Sequence, residues 1–201
     1  RCNYRCGFCA LRNREVQPKW DMDLGLFKRV TREMREAGVE EIGVFYLGES
    51  FMAPNLLVDC VRYLKGELGM PYVFLTSNAS MAFPEAVEEC MKAGLDSLKW
   101  SCNAADEEQF EKIMGVSKKL FHTAYENIKS AWEIRSKGGY KTGLYASSIH
   151  YDGEQLKKME QLIAEKVTPY VDQHYWLPLY SMGAFATLRE EELGYRPTAG
   201  N

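Results

Sequence analysis

Arg1-Cys2-Asn3-Tyr4-Arg5-Cys6-Gly7-Phe8-Cys9 carries three cysteines in nine residues, spaced Cys-x3-Cys-x2-Cys. Three thiolates on one short loop suit three corners of a cubane iron–sulfur cluster, which takes cysteine thiolates as ligands. The fourth iron then lacks a protein ligand, and an open metal position is where chemistry happens. Two other readings compete. A structural zinc site takes four ligands, commonly in two close pairs, and no second Cys-x2-Cys or His-x3-His pair occurs in the chain. The thiols could also be redox sensors. Cys60, Cys90 and Cys102 lie far apart in regular segments and read as small core hydrophobes.

Outward from this loop the sequence alternates helix and strand signals. Asp21 or Asp23 caps a helix that runs to about Ala37 and stops at Gly38. Glu41–Leu47 reads as a strand, and Pro54 opens a second helix with Leu56, Leu57, Cys60, Val61 and Leu64 on one face. Tyr72–Thr76 is the next strand, followed by a helix from Pro84 to near Gly94 and a strand over Leu95–Ser101. Asp106–Lys137 is helical and splits near Gly115. Lys141–Ile149 is a strand, Asp152–Lys166 a helix and Tyr170–Leu177 the last strand, with a polar, Gly-containing tail from Ser181. Such alternation implies a parallel sheet with right-handed crossovers.

The loop resembles that of the radical S-adenosylmethionine (SAM) enzymes, whose signature is Cys-x3-Cys-x-aromatic-Cys, with Phe8 as the aromatic. The resemblance implies a [4Fe–4S] cluster on Cys2, Cys6 and Cys9, and SAM chelating the fourth iron. One electron then cleaves SAM to methionine and a 5′-deoxyadenosyl radical. An external one-electron donor, of flavodoxin or ferredoxin type, is implied as partner. Tyr46-Leu47-Gly48-Glu49-Ser50 resembles the family's Gly-Gly-Glu-Pro turn, matching at Gly48 and Glu49 and departing at Leu47 and Ser50. Gly48 permits close backbone approach, and Glu49 supplies an acceptor for an ammonium group. Ser77 and Asn78, and then Ser101 and Asn103, resemble the polar ends of the next two strands.

The fold so implied is α/β, an open, TIM-like (β/α)6 partial barrel whose first strand would lie upstream of Arg1. Residues 1–180 would form the core domain and 181–201 a linker into a further domain. In such barrels active sites gather at the carboxyl ends of the strands. Phe8 is a candidate to press on cluster or adenine, against simply anchoring the loop to the core; Ser101 is a candidate to bond a ribose hydroxyl, against ordinary strand-end capping; and Asn103 either meets SAM or substrate or caps the helix expected to begin near Ala105. His174 and Tyr175, in the last strand, are candidates to move a proton or quench a substrate radical, against the plainer reading of a satisfied core histidine. Trp100 and Trp132 read as core.

Composition bounds the rest. A chain of 201 residues with a net charge of −3 and no basic run does not present a large nucleic-acid footprint. No apolar stretch reaches the length of a membrane span. A labile cluster and unpaired cysteines favour a reducing, cytoplasmic setting. The expected activity is hydrogen abstraction from a peptide or small natural-product substrate. The resembled branch carries SPASM- or twitch-like auxiliary-cluster domains, for which this chain holds no cysteines. The alternatives are an antiviral-type nucleotide dehydratase of the same superfamily and a non-catalytic iron–sulfur or metal-binding module. Anaerobic reconstitution is expected to load about four irons per chain. Cys6→Ala is expected to abolish both the iron and SAM cleavage, and full cleavage by that variant would remove Cys6 from the ligand set.

Overall fold

Asp23 starts the first helix: its carboxylate accepts the Leu26 N–H at 2.8 Å, satisfying one of the amides that a helix leaves open at its first turn. Asp21, the other candidate cap, instead pairs with Arg1 at 2.7 Å. The structure is a computed structural model that describes residues 1–9, 11 and 20–178. The proposed linker, residues 181–201, lies outside the described residues.

Helix α1 spans Leu24–Glu36 and turns through Gly38, whose φ of +90° suits glycine, into strand β1, Glu41–Gly43. Pro54 opens α2, Pro54–Arg62, which continues into one wider π turn before β2, Tyr72–Ser77. Then follow α3, Pro84–Lys92; β3, Ser97–Ser101; α4, Glu107–Met114; α5, Lys119–Gly138; β4, Gly143–Ile149; α6, Gly153–Lys166; and β5, Gln173–Leu177. The five strands form one parallel sheet in chain order, the arrangement of a partial (β/α) barrel.

Residues in register share a face of the sheet. Leu75, Leu98 and Leu144 form one row, and Ser77, Trp100, Ala146 and His174 the next. This face lies under the helices, and Leu98, Leu144, Trp100 and Ala146 are fully buried there. The opposite, inner face carries Thr76, Lys99, Tyr145 and Gln173 in one row, then Ser101, Ser147 and Tyr175.

The strand readings differ from the structure at several ends: β3 and β4 each start two residues later than Leu95 and Lys141, β2 runs one residue past Thr76, and the largest differences are in β1 and β5. β1 is shorter than Glu41–Leu47: after one further bond, Val44 N–H to Phe74 O at 2.9 Å, the chain leaves the sheet, and Ser50 Oγ–H donates to the Val44 carbonyl at 2.9 Å. β5 starts at Gln173 because Thr168–Tyr170, with Pro169 lacking an N–H, forms a 3-10 turn first. Trp132 is not core: it is partly exposed and meets Tyr170 edge-on, with ring centroids 6.0 Å apart.

Two aspartates lock the starts of strands in the same way. Asp96 accepts Val73 N–H at 2.7 Å and Lys65 Nζ at 2.7 Å. Asp172 accepts Leu144 N–H at 2.7 Å and pairs with Arg135. Burial opposes ionisation of Asp172, but the Arg135 guanidinium and the Leu144 N–H outweigh it and hold its carboxyl below the usual range. A depressed folded-state value stabilises above the ordinary aspartate range and stops doing so as pH falls through it. Asp172→Ala is therefore expected to cost about 1 kcal/mol at neutral pH, after allowance for solvent screening. Urea unfolding is expected to show this difference shrinking below about pH 4. A difference unchanged at pH 3 would assign the loss to packing.

Candidate active site

The cysteine loop is held at three points by backbone. At its start, Glu49 N–H donates to Arg1 O at 3.0 Å. Gly48 makes this approach: its φ is +146°, and a Cβ there would lie 2.8 Å from the Arg1 carbonyl oxygen. In the middle, Arg5 N–H donates to Met114 O at 2.8 Å and Gly7 N–H to Ile113 O at 2.9 Å. These are carbonyls that the end of α4 leaves open. Gly115, left-handed at φ +63°, ends the helix there, and a Cβ on it would crowd Arg5 O at 3.0 Å. On its side, Asn3 donates to Ser80 Oγ and accepts from Asn78 Nδ2, each at 2.9 Å.

The loop presents Cys2, Cys6 and Cys9 half-buried, with Tyr4 and Gly7 turned inward. Cys9 N–H donates to Cys6 O at 3.0 Å, and Tyr4 N–H approaches Cys2 Sγ at 3.4 Å. Cys6 Sγ lies 3.3 Å from Met114 Sδ. Burial pushes the Cys2 thiol up, against the pull of the Tyr4 N–H. Among the described residues no three His, Cys, Asp or Glu side chains converge on one ion. The donor set fits a cluster in which each thiolate takes its own iron better than it fits mononuclear zinc.

Beneath the loop lies a cavity of about 260 Å³. Phe8, Gly48, Glu49, Ser77, Asn78, Ser101 and Asn103 all line it, together with the three cysteines. Glu49 is 4% exposed, and its carboxylate accepts from Asn78 N–H at 2.8 Å, Ser77 Oγ at 2.9 Å and Phe51 N–H at 3.1 Å. Burial makes the Glu49 carboxyl a weaker acid, pushing its pKa above the ordinary value, and these three donors oppose the rise. Ser101 makes no side-chain hydrogen bond among the described residues and faces the cavity. Asn103 does not cap α4; that helix begins at Glu107, and Asp106 caps it by accepting Gln109 N–H at 2.8 Å. Asn103 instead joins strand ends: its Oδ1 accepts Ile149 N–H at 3.2 Å and its carbonyl accepts Tyr151 Oη at 2.6 Å.

The structure does not bring His174 and Tyr175 to this cavity. Strand alternation turns His174 toward the helices, where Nε2 bonds Ser148 Oγ at 3.0 Å and the ring stands edge-on to Trp176. Burial lowers its basicity. Tyr175 faces inward but lines a separate cleft with Lys99 and Tyr145. His122 pairs at the surface with Glu107.

Sequence reasoning missed Asn3, Ser80, Asn127 and Tyr125. Asn127, buried on α5, donates to Ala79 O at 2.8 Å and so holds the turn after β2, where Ala79 takes a left-handed φ of +66°. Tyr125 lines the cavity and its hydroxyl reaches Ala104 O at 3.4 Å. Asn3 and Ser80 stand inside stretches already singled out and carried a readable signal. Asn127 and Tyr125 lie on a long helix where only tertiary packing distinguishes them.

Sequence and structure comparisons bear on this site. The Radical SAM superfamily profile matches residues 1–163. The S-adenosylmethionine-dependent nucleotide dehydratase RSAD2 of Danio rerio is 34% identical over 163 residues, covering 80% of this chain and 44% of that protein. The GTP 3',8-cyclase of Mannheimia succiniciproducens is 29% identical over 139 residues, 66% of this chain and 39% of that one. The chain thus spans less than half the length of these relatives. Methylornithine synthase superposes with a TM-score of 0.66 at 15% identity, over 98% of this chain and 55% of that one, a likeness of fold. With its cysteine loop docked over a cavity at the carboxyl ends of parallel strands, and with the profile running across four-fifths of its length, this chain belongs to the radical SAM superfamily, whose members use a [4Fe–4S] cluster and SAM.

Proposed function

We propose that this chain is the catalytic core of an enzyme that abstracts a hydrogen atom from a carbon of a peptide or small natural-product substrate. The observation that carries the reading is the loop of Cys2, Cys6 and Cys9 fastened over a cavity lined by Glu49, Ser77, Asn78, Ser101 and Asn103. When bound, the cluster and SAM supply the hydrogen-abstracting chemistry. The chain does the rest. Cys2, Cys6 and Cys9 would hold the cluster, and an external one-electron donor would feed it. The backbone around Gly48 and the Glu49 carboxylate would receive an amino group, while Ser101, with its hydroxyl uncommitted, would bond a ribose hydroxyl. Phe8 and Tyr4, aromatic and turned to the cavity, exclude water from it. No helix among the described residues is long and apolar enough to cross a membrane.

A second reading is a nucleotide substrate, as the names of the sequence relatives, a nucleotide dehydratase and a GTP cyclase, describe for those proteins. The turn Ser77-Asn78-Ala79-Ser80, tied to the cysteine loop through Asn3, favours it, because the cysteine loop and Thr76-Ser77-Asn78-Ala79-Ser80 both resemble the antiviral-type nucleotide dehydratases. The two readings share the hydrogen-abstraction step. With the true substrate deuterated at the reacting carbon, deuterium is expected in the 5′-deoxyadenosine product, read by mass spectrometry. Substrate-dependent turnover with no deuterium there would sink the hydrogen-abstraction reading and leave the family assignment standing.

Glu49 offers a separate test. Its carboxylate takes three protein donors and still has acceptor capacity for a fourth. Glu49→Gln replaces one acceptor oxygen by a donor, leaves a buried donor unpaired, and is expected to lower stability by about 1–3 kcal/mol. SAM affinity measured by calorimetry is expected to fall about tenfold or more, as for loss of a charge-assisted bond. An unchanged affinity in a destabilised variant would confine Glu49 to fastening the strand ends.

A further inference from the structure

The inner face of the sheet holds a second opening, a cleft of about 310 Å³ that includes Thr76, Lys99, Tyr145, Gln173 and Tyr175. Thr76, Lys99, Tyr145 and Gln173 are register partners, one on each of four adjacent strands, so the cleft floor is a single row across the sheet. Lys99 stands near the middle of that row. It is half-buried, and its ammonium lies 5.8 Å from the centre of the Tyr175 ring. Among the described residues no carboxylate stands within ion-pair distance of it; Glu41, at the end of the cleft, does not reach it. Burial alone acts on its ionisation and lowers its basicity.

A half-buried ammonium without a counter-charge costs desolvation that nothing in the row returns. Next to it is a second unfilled polar group. Thr76 Oγ1 is buried and, among the described residues, has no hydrogen-bond partner. Thr76 also lines the main cavity, so it stands on the wall between the two openings. Ser101, at the main cavity, is two residues beyond Lys99 on the same strand and face, about 7 Å along it. Aromatic side chains, Tyr72 and Phe74, complete the cleft, which suits an anionic group carried on a flat apolar body.

We propose that this cleft is the substrate's anion subsite: Lys99 Nζ holds a phosphate or carboxylate group, while the carbon to be attacked reaches the main cavity past Ser101. The proposal deepens, and rests on, the reading of the main cavity as the reaction site. The anion sits roughly two residues along the strand from that cavity, so the substrate separates its charged group from its reacting carbon by on the order of 7 Å. Lys99 is here a binding residue and takes no part in bond cleavage.

The test reads the lysine directly in the complete protein. Acetylation of Lys99 is followed by mass spectrometry with pyrophosphate, with succinate, or with sodium chloride of matched ionic strength. Lys112 and Lys157 serve as internal references. Specific protection of Lys99, about fivefold or more, is expected from one of the two anions. Protection by pyrophosphate assigns a phosphorylated substrate, protection by succinate a carboxylate, and equal labelling under all three conditions overturns the proposal. Calorimetry with the protecting anion supplies the second arm. Lys99→Met is expected to weaken binding about ten- to a hundredfold and Lys99→Arg far less. Undiminished binding by a folded Lys99→Met variant also overturns it. Repeating the protection with Cys6→Ser separates the two readings. Loss of the cluster with protection intact leaves the subsite standing, whereas protection lost in a cluster-loaded wild type removes the subsite alone.

Discussion

Two hydrogen bonds, Arg5 N–H to Met114 O and Gly7 N–H to Ile113 O, bind the rest of the site together. The end of a helix must leave carbonyls without helical partners, and a loop without regular structure must find partners for its amides. Here each need answers the other. The bonds place the cysteine loop against α4 with its thiols directed to the cavity, and Gly115 permits the close approach by ending the helix in a left-handed turn. The turn at Gly48 and Glu49 secures the other end of the loop by the same means, backbone to backbone. Side chains that line the cavity are thereby left available for binding.

The polar residues around the loop divide by what they do. Asn3, Asn78, Ser80 and Asn127 are engaged with protein partners and set the position of the turn after β2. Glu49 belongs partly to this group, since three donors hold its carboxylate. Ser101 and Thr76 have no such engagement among the described residues. The Ser101 hydroxyl, at the cavity wall, is a group whose hydrogen bond is still to be made, whereas Thr76 Oγ1 is closed off within the inner side of the sheet.

Much of this was legible before the structure. Apolar periodicity and Pro/Gly punctuation placed every helix and strand, including the break at Gly115, because a parallel sheet buried under helices has near-continuous apolar strands. The ends were less legible. Phe45 and Leu47 look like strand residues, but the close turn at Gly48 draws the chain out of the sheet before them. His174 drew attention by residue type, yet a side chain's face depends on register, and one position's shift sends it to the opposite side. Lys99 drew none, because an isolated lysine in a strand has no local signature. Its meaning comes only from Thr76, Tyr145 and Gln173, which lie far away in the chain.

The docking of the cysteine loop also sets an order of events during synthesis. Strand neighbours in this sheet are neighbours in the chain, so each β/α unit can add to the one before it as it leaves the ribosome. The loop departs from this rule, because its partners Ile113 and Met114 are translated about a hundred residues after it. At ordinary elongation rates the thiols wait roughly 5–20 s without their dock. In that interval they are open to oxidation and to stray metal ions, and the site that would receive a cluster does not yet exist. Delivery of a cluster to these cysteines would thus be a late event, timed by the completion of α4 rather than by the appearance of the cysteines.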